Sequence, residues 1–265
     1  MPVVTSTLEN KTNYHKALDI KRLKFIVEQL KDCLQSGAKV LDIGCGNGNI
    51  SLYLGSLGFH VHGVDISKKA IEKARSLNTY KHVQFDVLSA EEIREDYGKY
   101  EAIICSEVLE HLHRPSDLLD VLYDILTPEG TLIVTVPNGK GPREQLVTRP
   151  MQKIQQNKGL SYKVITGVKN ALGYSGKTVQ SDADDLSHIQ FFTKSQIQSL
   201  AAHNNFTVAV FKNTNFISDV FPYSFFANRV PVLQQIDCKI ADQLPYYLTG
   251  GFNMVWKKNS SHLLI

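Results

Sequence analysis

Two carboxylates and an imidazole stand close together in the segment Glu107-Val108-Leu109-Glu110-His111. Glu107, Glu110 and His111 occupy positions i, i+3 and i+4, which share one face if the segment makes a helical turn. Such a face offers ligands for a divalent ion such as Mg²⁺, Mn²⁺ or Zn²⁺, or a general base for a hydroxyl group. The alternative is that these side chains only stabilise a turn.

A glycine-rich turn is the second chemical signal. Gly44-Cys45-Gly46-Asn47-Gly48 follows the apolar run 40–43, and glycine lets the backbone approach a ligand with positive φ. Its spacing is shorter than that of the dinucleotide-binding GxGxxG motif. Asp42 precedes the turn by two positions, where a carboxylate suits the amino group of an amino-acid-like cofactor better than a pyrophosphate. The pattern predicts a ligand site at the carboxyl end of a strand.

An acidic residue ends the next apolar run. Asp65 lies about 20 residues beyond the glycine turn, where an acid can hold ribose hydroxyls. The alternative is that Asp65 caps the following helix. Ser67 can do that capping, so we expect Asp65 to serve the ribose.

Apolar strands alternate with helices along most of the chain. Strands are predicted at 39–43, 60–64, 82–87, 100–105, 131–136, 207–211 and 251–256, and helices at 13–35, 50–57, 68–77, 90–96, 116–126 and 193–204. This alternation predicts an α/β fold with a mostly parallel sheet covered by helices on both faces.

We expect a single domain over residues 1–265. An N-terminal helical cap (1–36) precedes the core (37–137), and the C-terminal part of the sheet (188–265) includes an aromatic segment, 212–249, that caps the site. Between them lies a basic insertion, 138–187, in which residues 139–180 carry eight basic residues and one acid, Glu144. Apolar residues recur there every fourth position, which predicts an amphipathic helical lid; a solvated face is the alternative.

Composition excludes several classes of protein. The chain is 43% hydrophobic and 21% charged, as in ordinary globular proteins. Its four cysteines form no CxxC pair, so we expect neither a disulfide framework nor a zinc-cysteine site. We see no apolar leader and no apolar run long enough to span a membrane, and we therefore expect a cytoplasmic location.

Five segments together resemble a known family. LDIGCGNG, GVDIS, SAEEI, SEVLEHL and LTPEGTLIVTVPN occur in the order found in class I S-adenosylmethionine-dependent methyltransferases. The chain is most similar to the branch that contains ubiquinone-biosynthesis O-methyltransferases. The resemblance is strong over residues 37–137 and weak over 188–211, and it implies the Rossmann-like methyltransferase sheet with S-adenosylmethionine as cofactor.

The resemblance also implies roles for individual residues. The glycines would wrap the methionine part and the ribose, with Asp42 near the amino group, Asp65 on the ribose hydroxyls and Ile66 on the adenine face. Many relatives have Asp where Ser89 stands, which leaves the adenine amino contact open. The implied cofactor set is Asp42, Gly44, Cys45, Gly46, Asn47, Gly48, Asp65, Ile66, Ser89, Ala90 and Ser106.

The Glu107–His111 segment is similar to the EVxEH segment of small-RNA 2′-O-methyltransferases and of some ubiquinone-pathway enzymes. There, two Glu and a His bind a metal, and a later His completes the site. His188 resembles that later His. The resemblance implies a divalent metal site at Glu107, Glu110, His111 and His188, or alternatively a general base at His111 or His188 oriented by glutamate.

The motifs favour methylation of a hydroxyl group. We find no NPPY-like signature of amine methylation and no catalytic cysteine pair for C-methylation, whereas a hydroxyl acceptor needs the base or metal that these residues offer. We expect a small-molecule, lipid or glycan acceptor, with an anionic character that suits the basic insertion, and peripheral membrane contact is compatible with it. Methylation of an RNA 2′-hydroxyl is the alternative, and a non-catalytic cofactor-binding protein is the third hypothesis.

Overall fold

The computed structural model describes residues 14–94, 99–150 and 188–259. Seven strands of this part form one sheet in the order β3-β2-β1-β4-β5-β7-β6. The strands are β1 (Lys39–Ile43), β2 (His60–Asp65), β3 (Val83–Val87), β4 (Tyr100–Ser106), β5 (Leu126–Pro137), β6 (Phe206–Asn213) and β7 (Gly251–Lys258). The helices are α1 (Ala17–Cys33), α2 (Asn49–Gly55), α3 (Lys68–Leu77), α4 (Pro115–Ile125), α5 (Lys194–His203), α6 (Tyr223–Ala227) and α7 (Pro231–Gln243).

The first five strands of the sheet are parallel, and β7 pairs antiparallel with both β5 and β6. The carboxyl ends of β1, β2 and β4 lie level, because Ile43 pairs with both Val64 and Cys105. The strand order reverses between β1 and β4, which is where open α/β sheets form their ligand crevice. The glycine turn follows one of these two strands and the Glu107–His111 segment follows the other.

Both faces of the sheet are buried. Along β4, Ile103 and Cys105 belong to the apolar core under α4 and α5, while Ala102 and Ile104 belong to the core under α1, α2 and α3. This arrangement confirms the predicted α/β class with helices on both faces.

The element boundaries follow the sequence pattern with local differences. β1 and α3 have the predicted ends, and Thr193 caps α5 in a reciprocal capping box with Gln196. The helix predicted at 90–96 is a 3₁₀ turn over Ala90–Glu92, and residues 95–98 lie outside the described residues. β5 begins at Leu126 rather than Thr131, with an irregular register opposite Tyr100 and Ala102.

The predicted basic insertion, 138–187, lies mostly outside the described residues, including its proposed amphipathic helix. The described start is a π-type helical turn, Glu144–Thr148. The aromatic segment 212–249 contains α6 and α7, and α7 packs against α1, where the amide of Ala17 donates to Gln234 Oε1 at 2.8 Å. None of the helices described has the length and apolarity needed to cross a bilayer.

Candidate active site

The turn after β1 depends on its glycines. Gly44, Gly46 and Gly48 have φ of 68°, 54° and 78°, which side-chain-bearing residues adopt only with strain. A Cβ at Gly44 would lie 2.6 Å from Cγ2 of Val108. The turn therefore lies directly against the segment that leads to Glu110. Cys45 and Asn47, which alternate with the glycines, are largely buried.

Asp65 holds this turn in place. One carboxylate oxygen accepts the amide of Gly46 and the other accepts the amide of Ser67, each at 2.8 Å. Ser67 caps α3 by accepting the amide of Ala70. Asp65 thus is not the helix cap, and a carboxylate that accepts two hydrogen bonds retains lone pairs for a ligand.

Asp42 lies deeper than Asp65. Its side chain is 1% exposed and accepts a hydrogen bond from the Ser51 hydroxyl. Burial raises the pKa of Asp42 to about 7, although the Ser51 hydrogen bond opposes that rise. Asp42 lies on β1 two residues before the glycine turn, and a cation bound nearby would favour its charged form.

Apolar and hydroxyl side chains surround the same sheet edge. Ile66, just after β2, is 60% exposed. At the end of β4, the Ser106 hydroxyl lies 2.9 Å from that of Thr135 on β5. Ala90 begins the 3₁₀ turn after β3, and the amide of Ser89, the residue before it, donates to Glu92.

Glu110, His111 and His188 converge. One ligand atom of each lies within 4.8 Å of the others, and the two imidazole rings meet edge to face at 5.2 Å. The backbone brings the distant residue there, because the amides of Ile189 and Gln190 both donate to the carbonyl of Glu110, at 2.8 and 2.9 Å. The later histidine predicted from sequence thus stands beside the first.

The Glu110 carboxyl group is 1% exposed, and neither of its oxygens accepts a hydrogen bond within the described part of the chain. Burial and the neighbouring carboxylate of Glu107 raise the pKa of Glu110 well above its usual range. A buried carboxyl group with free acceptor oxygens beside two imidazoles is suited to a cation, and this part of the structure contains no lysine or arginine within ion-pair distance of it.

The predicted shared helical face is wrong at Glu107. This residue has φ of 57°, its amide pairs with the Thr135 carbonyl, and the 3₁₀ turn begins only at Leu109. Its carboxylate instead lies 3.4 Å from Nη2 of Arg22 on α1 and accepts the Thr135 hydroxyl at 3.0 Å. Glu107 therefore lies outside the group formed by Glu110, His111 and His188.

Glu144 is a buried neighbour that the motifs did not indicate. Its side chain is fully buried, and Oε1 lies 3.6 Å from Nδ1 of His188. Burial alone would raise the pKa of Glu144, but His188 and Arg143 outweigh it and lower the pKa. The available sequence signal was its position as the one acid among eight basic residues over 139–180.

Comparisons with known proteins agree with this geometry. The sequence profile of a family described as "Methyltransferase domain" matches residues 14–209. A ubiquinone biosynthesis O-methyltransferase of Xanthomonas axonopodis pv. citri is 33% identical over 125 residues, covering 46% of this chain and 51% of that protein. The human mitochondrial enzyme of the same name is 27% identical over 201 residues, covering 65% and 54%. The chain spans about half the length of the curated relatives it matches.

Solved structures share the fold. A SAM-dependent methyltransferase from Methanosarcina mazei superposes with a TM-score of 0.56 at 18% identity, covering 87% of this chain and 97% of that one. Magnesium protoporphyrin IX methyltransferase from Synechocystis PCC 6803, solved with bound SAH, gives 0.52 at 19% identity, covering 90% and 83%. These likenesses establish the fold.

Proposed function

The chain belongs to the methyltransferase-domain family, and from that premise we propose that it transfers a methyl group from S-adenosylmethionine to a hydroxyl group of a small molecule, lipid or glycan. A hydroxyl acceptor is favoured by one observation, the group formed by Glu110, His111 and His188. It follows β4, the strand next to the one that ends in the glycine turn.

In this proposal the glycine turn and Asp65 bind the cofactor. Asp65 is oriented by the amides of Gly46 and Ser67, so its remaining lone pairs are fixed for ribose hydroxyls. The exposed Ile66 side chain covers an adenine face, and Asp42, two residues before the turn, favours the cationic amino group. S-adenosylmethionine supplies the electrophilic methyl group when bound.

The residues after β4 act on the acceptor. A hydroxyl group needs to lose its proton as the methyl group arrives, and His111 or His188 can accept that proton. The two buried oxygens of Glu110, which accept no hydrogen bond from the described residues, also fit a divalent metal ion beside the two imidazoles. Glu110, His111 and His188 would hold the ion, which when bound lowers the pKa of the acceptor hydroxyl.

The surroundings favour an amphipathic acceptor. The backbone of the turn Tyr246–Leu248 is tied to the end of β5, because Asn138 Nδ2 donates to the carbonyls of Tyr246 and Thr249. The side chains of this turn are exposed. Two relatives are named as O-methyltransferases of ubiquinone biosynthesis. We further propose a cytoplasmic protein that reaches such acceptors by peripheral contact with a membrane.

Calorimetry with S-adenosylhomocysteine tests the cofactor site. We expect micromolar or tighter binding, weakened at least about tenfold, or roughly 1.4 kcal/mol, by Asp65→Ala. Asp120→Ala, an exposed carboxylate on α4, is the matched control and should leave binding unchanged. Binding of NAD in place of S-adenosylhomocysteine, or equal affinities for the two variants, would contradict the assignment.

Chelation separates the two forms of hydroxyl activation. If a metal ion is required, a chelator stops methyl transfer, added Mn²⁺ or Zn²⁺ restores it, and Glu110→Ala removes both metal binding and turnover. If an imidazole acts as the base, the chelator has no effect and a single His→Ala substitution dominates the loss. Turnover that survives the chelator and all three substitutions would remove this group from the mechanism.

The same three residues favour a second candidate, methylation of an RNA 2′-hydroxyl, since that acceptor makes the same chemical demand. Labelled methyl groups from S-adenosylmethionine distinguish the candidates by appearing in an RNA or in an organic extract. Tight cofactor binding with no transfer to a broad panel of acceptors would instead support a non-catalytic cofactor-binding protein.

A further inference from the structure

A buried carboxylate beside the site takes no part in the function proposed above. Glu144 belongs to the π-type turn after β5 and has no exposed side-chain surface. The basic residues around it in sequence include Arg143 and Arg149, and the latter's guanidinium donates to the Gly139 carbonyl. The acidic side chain therefore points into the protein, away from the basic side chains that neighbour it in sequence.

Burial of a carboxylate is costly unless a partner compensates it, by several kcal/mol in order of magnitude. Within the described residues, the ion-pair partner of Glu144 is His188, with 3.6 Å between Oε1 and Nδ1. This separation is slightly longer than a hydrogen bond, and neither Glu144 oxygen accepts one from the described residues, so a small side-chain shift would let Oε1 accept from Nδ1. The chain at His188 is independently fixed, because the next two amides donate to the Glu110 carbonyl. The imidazole is thus held by its backbone from one side and faces a carboxylate on the other.

We propose that Glu144 is a positioning residue, which holds the proton of His188 on Nδ1 and so presents the unprotonated Nε2 to the site. The inference rests on the proposed function for the role of that nitrogen, as base or metal ligand, but the tautomer itself does not depend on it. Imidazoles that act through one ring nitrogen commonly donate the other to a carboxylate, which fixes both ring orientation and tautomer.

The tautomer can be measured in the metal-free protein. Long-range ¹H–¹⁵N spectra of ¹⁵N-histidine-labelled protein distinguish Nδ1–H from Nε2–H, and a His188→Gln variant identifies the signals of His188. We expect the Nδ1–H form in the native protein and loss of that preference in Glu144→Met. Glu144→Gln, whose amide oxygen can still accept a hydrogen bond from Nδ1–H, should retain it.

The choice of variants separates positioning from folding. Methionine has a similar length and carries no charge, and beside the neutral His188 of this proposal it leaves no uncompensated buried charge, which is what makes removal of one partner costly. Glu28→Met, at an exposed glutamate of α1, is the control and should leave the His188 signals unchanged. If Glu144→Met folds and His188 keeps its tautomer, Glu144 is only a structural residue and the proposal is overturned.

A second readout measures the site without turnover. Calorimetric titration with Mn²⁺ or Zn²⁺ alone should show affinity reduced about 10- to 100-fold in Glu144→Met, in line with the usual effect of losing such a carboxylate. If the native protein binds neither ion, the metal form of the proposed function fails. The tautomer experiment then still decides the role of Glu144.

Discussion

At the residue scale, the site concentrates buried acidic groups around a crevice. Asp42 is buried with the Ser51 hydroxyl as a neutral donor, Glu110 has two oxygens without hydrogen bonds in the described part of the chain, and Glu144 lies beside an imidazole. Each arrangement leaves part of the cost of burying a carboxylate uncompensated. A ligand that brings positive charge relieves that cost, and a sulfonium cofactor with an amino group, or a divalent ion, does so.

The Asp42 carboxyl group predicts how stability depends on pH. Its pKa is about 7 in the folded protein and about 3.9 when unfolded, so the fold favours the protonated form. The stabilising contribution is complete below about pH 3.9 and is lost as the pH rises through about 7. In chemical denaturation of the ligand-free native protein, the unfolding free energy should fall by up to roughly 4 kcal/mol between these two pH values. Asp42→Asn should remove that fall.

The same comparison with Asp120→Asn should show no change in the pH profile, because that side chain is exposed. An Asp42→Asn profile parallel to that of the native protein would mean that Asp42 is already ionised in the fold. Since a cation beside Asp42 lowers its pKa, bound S-adenosylmethionine should flatten the native profile towards that of the variant.

Spacing alone could predict some of these residues and not others. Asp65, Glu110 and His111 were predicted because their positions relative to strands and turns carry chemical meaning. Glu107 was misplaced because a left-handed φ and a hydrogen bond to Thr135 come before the turn, and helical spacing does not reveal either. Glu144 was missed because its partner, His188, is distant in sequence and its burial is a tertiary property.

At the element scale, two turns from neighbouring strands are packed into one unit. Gly44 after β1 leaves no room for a Cβ beside Val108, which follows β4. Glycine is therefore needed at position 44 for two reasons: its positive φ, and the close packing of the segment that carries Glu110. A substitution in the turn after β1 should also disturb the turn after β4.

Gly44→Ala tests this coupling. The variant suffers the strain of φ 68° and a contact of 2.6 Å with Val108, so we expect a loss of more than about 2 kcal/mol and weaker S-adenosylhomocysteine binding. Gly37→Ala is the matched control, because Gly37 has φ of 92° but a Cβ added there would meet no atom within 4 Å. Gly37→Ala should lose only the stability that backbone strain costs, about 1–2 kcal/mol, and should bind S-adenosylhomocysteine normally. Equal effects in denaturation and calorimetry would show that packing against Val108 is unimportant.

Apolar periodicity predicted the order of the elements well because the central strands β1, β2, β4, β5 and β7 are largely buried on both faces, whereas helices such as α3 and α4 bury one face. It failed at the start of β5, where Pro128 and Gly130 resemble a turn although the chain is already paired with Tyr100 through Leu126. The register shift before Thr131 accommodates these residues, and such an irregularity depends on the neighbouring strand rather than on local sequence.

At the scale of the whole molecule, helices from the two ends of the fold are joined beside the site. Lys21 on α1 donates to the carbonyls of Thr214 and Cys238 and to Asp242, at 2.6, 2.9 and 2.6 Å. The next residue, Arg22, reaches Glu107. The C-terminal part of the chain thus anchors the helix that contacts the site, an arrangement that no local pattern in the sequence predicted.

Lys21→Met tests whether this anchor acts on the site. The variant retains the apolar stem but leaves the Thr214 carbonyl without its charged donor, so we expect a loss of about 1–3 kcal/mol in unfolding free energy. Lys24→Met, on the same helix with an exposed ion pair to Glu28, should stay within about 0.5 kcal/mol of the native protein.

Hydrogen exchange should accelerate together in α1 and α7 for Lys21→Met, while the amides of β1 and β4 stay protected. Because α1 carries Arg22 to Glu107, S-adenosylhomocysteine affinity should also fall. Faster exchange with unchanged affinity would show that Lys21 joins the two helices without positioning the site.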